Sequence, residues 1–79
     1  MDMLQGLIAN NIVRILSGDG ENNPTMEIFS GRPTLRAIRQ RLKKYRYKSG
    51  WWARAEVFSH VSYGKDVWVD VETGSYYIN

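Results

Sequence analysis

Residues 34–48 read TLRAIRQRLKKYRYK, and the period of that stretch decides the fold. Advancing each residue by about 100° gathers Leu35, Ile38, Leu42 and Tyr45 into an arc of about 80°, which is one narrow apolar face of an amphipathic helix. Thr34 offers an N-cap hydroxyl, and Gly50 follows as a stop. Everything basic points elsewhere. Arg39, Lys43 and Arg46 form a stripe at one border of the apolar arc, with Arg36 beside them, while Arg41, Lys44 and Lys48 occupy the other flank. Like charges at i, i+4 repel by about 0.2–0.5 kcal/mol per pair. Lys44, Arg46 and Lys48 offset part of this by complementing the carboxyl end of the helix dipole.

The helix sits in a wider basic window. Nine of the eleven basic residues fall between Arg32 and Arg54, and no acidic residue lies among them. All eight acids lie outside, opposed there only by Arg14 and Lys65, so a net charge of +3 conceals a strongly dipolar molecule. That asymmetry points to a polyanionic partner.

Downstream the period changes from helical to two-residue alternation. In the strand from Trp52 to Val61, Ala53, Ala55, Val57 and Val61 share one face, and Trp52, Arg54, Glu56, Phe58 and His60 the other. A turn over Tyr63–Asp66 leads into Val67–Glu72, where Val67, Val69 and Val71 point inward and Trp68, Asp70 and Glu72 outward. After a second turn at Glu72–Ser75, Tyr76–Ile78 forms a short terminal strand. Small Ala53 and Ala55 would let a helix approach this sheet closely.

Upstream, Thr25–Ser30 alternates as a strand and Gly31-Arg32-Pro33 breaks it, while Ser17–Pro24 has loop composition. The first segment admits two readings. Met3, Leu4, Leu7, Ile8, Ile12, Ile15 and Leu16 favour a helix from about Asp2 to Ser17 with Gly18 as its stop. The β-branched run beginning at Ile12 competes as a strand over Asn11–Leu16, in a long hairpin with the next strand. The expected fold is a small single α+β domain over residues 1–79: an N-terminal helix (or strand), a strand, the basic amphipathic helix, then a three-stranded antiparallel β-meander.

Composition is that of a folded chain, with 43% hydrophobic and 13% aromatic residues in 79. Lack of cysteine removes disulfides, thiolate chemistry and Cys-type zinc sites together. It suits a cytoplasmic location. The apolar start MDMLQGLIANNIVRIL has Asp2 where a signal peptide needs basic residues, and Arg14 interrupts it. It is too short to span a bilayer, so no membrane role is expected.

The chemistry expected of this pattern is binding rather than catalysis. Arg32, Arg36, Arg39, Lys43, Lys44, Arg46 and Lys48 are candidate contacts to nucleic acid or to an acidic partner surface, because phosphates need several cations along a backbone. Tyr47 and Trp51 are candidate stacking residues beside them. Arg54 is expected to pair with Asp70 or Glu72. The outer sheet face around Trp52, Phe58 and Trp68 becomes core if the first helix covers it, and otherwise suits a partner or a homodimer. His60, the only histidine, lacks a paired nucleophile, since Ser59 and Ser62 should project differently on a strand. No metal-ligand spacing, phosphate-loop motif or cofactor signature is present, and no enzyme activity, metal or cofactor is expected.

A double-stranded-RNA-binding domain would run α-β-β-β-α with its lysines on the second helix, whereas here the basic helix precedes the meander. No zinc-finger, homeodomain or RNP aromatic motif occurs. In size, cysteine content and layout, the chain resembles the compact α+β proteins with which phages and mobile elements inhibit host defence, including some anti-CRISPR proteins. That resemblance implies an alternative function, docking on a host defence or nucleic-acid-binding protein complex.

Overall fold

Two asparagines end the first helix early. In the computed structural model, which describes residues 3–20, 24–47 and 50–78, α1 spans Met3–Asn10. The Asn10 side-chain amide donates to the Gly6 carbonyl at 2.9 Å, and the Asn11 backbone and side-chain amides both donate to Leu7. Two carbonyls near the end of the helix thereby gain side-chain donors. The chain continues as β1 (Val13–Gly18), so the expected single helix to Ser17 is corrected to a helix followed by a strand. β-branched Val13 and Ile15 fit a strand better than a helix, and both bury almost completely there.

The remaining elements are β2 (Thr25–Ile28), α2 (Leu35–Arg46), β3 (Trp52–Ser62), β4 (Lys65–Asp70) and β5 (Tyr76–Ile78). One five-stranded sheet runs β2-β1-β3-β4-β5, with every neighbouring pair antiparallel. The α+β class is as expected. The three-stranded meander is real but incomplete, because the β1–β2 hairpin widens the sheet along β3. With β1 antiparallel to both neighbours, β2 and β3 run parallel on either side of it. α2 makes that connection and must cross one face of the sheet to do so.

Thr34 caps α2 as expected, its hydroxyl accepting the Ala37 N–H at 3.1 Å. Ile38 and Leu42 bury fully against a cluster containing Ala53, Ala55 and Val57 of β3, where the two alanines leave room for the helix. Leu4, Leu7 and Ile8 of α1 join that cluster. Both helices therefore cover the same face, and α1 does not shield the other one. No helix among the described residues is long and apolar enough to cross a membrane.

The centre of the helix-free face is covered by its own side chains. Glu56 is 0% exposed. Its Oε1 accepts Arg14 Nε at 2.9 Å and Nη2 at 2.8 Å, and its Oε2 accepts Arg54 Nε at 2.7 Å. Arg54 thus pairs within its own strand, not with Asp70 or Glu72 as expected. The Arg14 guanidinium lies 3.7 Å from the centroid of Trp68, which Phe58 meets edge-on at 5.5 Å. Trp68 is consequently only 7% exposed, although on sequence parity it faces outward. Arg54 stacks over Tyr77 at 4.3 Å. At one end of this face Gly18 pairs with Trp52, and a β-carbon on Gly18 would lie 3.3 Å from the indole.

A bulge between Phe58 and His60 reverses the expected alternation along β3. Val61 therefore leaves the core side and is 59% exposed opposite Asp66 on the helix-free face. The β3–β4 hairpin closes through Tyr63 (φ 51°) and Gly64 (φ 77°). Two positive φ values suit a two-residue type I′ turn, where asparagine is favoured and a tyrosine is strained.

Two outcomes follow. Glu56→Ala should remove the buried carboxylate that Arg14 and Arg54 share and cost about 3 kcal/mol in denaturant unfolding. Tyr63→Asn should relieve up to about 1 kcal/mol, read in thermal melts as a Tm rise of roughly 4–8 °C for a chain this small.

Candidate nucleic-acid interface

α2 carries its cations in two structurally distinct sets, sorted by angle around the helix axis. Residues bordering the buried arc meet acids. Arg41 forms an ion pair with Glu27 of β2, to which the Tyr45 hydroxyl also donates at 3.4 Å. Arg46 forms a two-pronged pair with Glu72 just beyond β4, and its Nη2 also donates to the Ala53 carbonyl at 2.8 Å. Arg54 is held by Glu56 on the far side of the sheet.

Residues pointing away from the sheet meet no acid. Arg36, Arg39, Lys43 and Lys44 of α2 are exposed, as is Arg32 at the helix entrance, and none forms an ion pair among the described residues. Lys43 lies 5.9 Å from the ring centroid of Tyr47, which is 78% exposed. Five of the proposed contact residues thus stay exposed without an ion pair among the described residues, four of them on α2 and with Tyr47 beside Lys43. Lys48 falls outside the described residues.

Two expected contacts change role. Arg46 is a tether between helix and sheet, and its pairing could not be read from sequence because Glu72 lies 26 residues away. Trp51 is half-buried, so its indole is a smaller platform than Tyr47 offers. Arg39 is intermediate. It forms no ion pair among the described residues, yet it adds a weak attraction that helps hold Glu72 ionised.

The Arg46–Glu72 hydrogen bonds are the main reason that the Glu72 carboxyl sits below its ordinary value and the Arg46 guanidinium above its own. Burial opposes both shifts. A shallow cleft of about 270 Å³ adjoins the surface at Arg32, lined also by Asn10, Asn11, Ile12, Phe29 and Gly31.

His60 has a neighbour that strand alternation did not foresee. At the bulge the Ser59 hydroxyl lies 2.8 Å from His60 Nδ1. His60 is exposed, and no carboxylate hydrogen-bonds its ring among the described residues. No group of three metal-ligating side chains occurs among them either.

Because the Glu72 carboxyl is lowered in the folded state, its contribution is present above the unfolded value near 4.5 and is lost as pH falls through the folded value. Glu72→Gln should lower stability at pH 7 by about 1 kcal/mol or less. That difference should shrink below about pH 4 in parallel thermal melts of the two proteins. No protein-family model, curated protein or solved structure matches this chain.

Proposed function

We propose that this protein binds nucleic acid without enzymatic activity, through the outward side of α2. One observation carries the reading. Acids neutralise Arg41 and Arg46, while Arg32, Arg36, Arg39, Lys43 and Lys44 are exposed and form no ion pair among the described residues. A surface serving solubility alone would be expected to mix charges of both signs. Concentrated positive charge instead raises the local potential and attracts a polyanion from a distance.

Geometry supports the same partner. An α-helix with its side chains is about 10–12 Å across, which the roughly 12 Å width of the B-DNA major groove admits. Lys and Arg there would contact phosphates, and Tyr47 offers an aromatic face beside them. Gln40 is the one amide side chain on α2 and is exposed. A surface so dominated by cations should bind with little sequence preference.

With five phosphate contacts, log K should fall with log salt at a slope of about −4.5 on duplex DNA, a loss on the order of 10²–10³ between 50 and 200 mM salt. The triple variant R36A/K43A/K44A should flatten that slope by about 2.7 with an unchanged Tm, because all three side chains are exposed. Arg46→Ala should do the reverse, lowering Tm while largely keeping the slope. A slope near zero, or no binding at 50 mM salt, defeats the reading. In a pull-down after nuclease treatment, a protein held by the same three cations would instead indicate an acidic partner surface.

A further inference from the structure

We infer that the helix-free face of the sheet is a self-association surface, joining two copies of this chain back to back. Strand register places a run of uncovered apolar side chains there. Met26 and Ile28 on β2 are 52% and 55% exposed, Ile12 just before β1 is 56%, and Val61 beyond the bulge is 59%. Half of the large hydrophobic residues that are exposed among those described lie on this one face. Leu16, Trp52, Phe58 and Tyr77 are half-buried between them. The apolar residues border the Arg14–Glu56–Arg54 cluster, whose charged atoms already have partners.

Charge selects the occupant. On this face Arg14 and Arg54 oppose Glu56 and Asp70, with Asp66 at one end, so the face is close to neutral. A nucleic acid gains nothing from such a surface. A strongly charged protein partner gains little more. A second copy meets it without repulsion and, being the same patch, matches it apolar to apolar about a two-fold axis. The helical side would repel a copy of itself.

A standard interface takes about 800 Å² from each partner, about a seventh of the 5543 Å² accessible surface. The thirty strand residues, at about 3.3 Å each and about 4.8 Å between strands, project to a face on the order of 480 Å², and its corrugated accessible area is larger. Back-to-back pairing would leave both α2 helices on opposite outer sides, so one dimer would present two cationic surfaces.

Sedimentation velocity from 1 to 200 µM tests this, at 0.1 and 0.5 M salt and without nucleic acid. The expected result is a concentration-dependent species of about twice the 9.2 kDa chain mass that persists at the higher salt. M26E/I28E at one edge and V61E past the bulge should each weaken it at least about tenfold by forcing charge into an apolar contact. All three positions are more than half exposed, so circular dichroism should be unchanged, and V61E serves alone if the double variant does not fold. R36A/K43A/K44A should dimerise like the parent, which separates this inference from the nucleic-acid reading. A parent chain that stays monomeric at 200 µM, or a dimer that folded variants leave intact, overturns it.

Discussion

A carboxylate with no exposure to water holds this sheet together across its least covered side. Burying an ionised group is tolerated only where its lone pairs are occupied and its charge is opposed. Glu56 meets both conditions through Arg14 on one neighbouring strand and Arg54 on its own. The arginines then lay their flat guanidinium faces over Trp68 and Tyr77, covering aromatic surface that a second helical layer would otherwise have to bury. Both helices among the described residues lie on the opposite face. The charged cluster takes that place.

The same economy governs the acids on the helical side. Glu27 and Glu72 stand where α2 meets the sheet, and each fixes an arginine against it. Charge pairing therefore orients the helix about its axis as well as holding it down. With Arg41 and Arg46 committed inward, the orientation that buries Ile38 and Leu42 directs the other cations to solvent. Formal charge alone overstates the unpaired cationic surface, which is the subset of the basic window left over after folding.

Local rules reached much of this arrangement. The periodicity of Leu35, Ile38, Leu42 and Tyr45, the Thr34 cap and the alternation of Val67, Val69 and Val71 all rest on near neighbours in sequence, and they fold as read. Three features were not legible, each for a non-local reason. Ile12–Leu16 fits both periods, and it becomes strand because β3 and β2 supply partners on either side. Val61 leaves the core because a bulge inserts one residue, which no alternation pattern reveals. Trp68 is buried because an arginine 54 residues earlier reaches over it. Among the candidate contacts, the exposure of Arg36, Arg39, Lys43 and Lys44 was readable from helix angle, while the pairing of Arg46 with a distant glutamate was not.

The strand order has a kinetic side. β1 with β2, and β3 with β4 and β5, are hairpin-connected units whose pairings close over short loops. Only the seam between β1 and β3 joins them, and it ties residues about 42 positions apart, the separation of Arg14 from Glu56. Closing so long a segment is entropically slower than forming either hairpin. The seam is thus the strand pairing with the largest loop-closure cost in the sheet. While it stands open, Glu56 is a solvated carboxylate on a half-built sheet, and closure turns it into the buried clasp of the finished one.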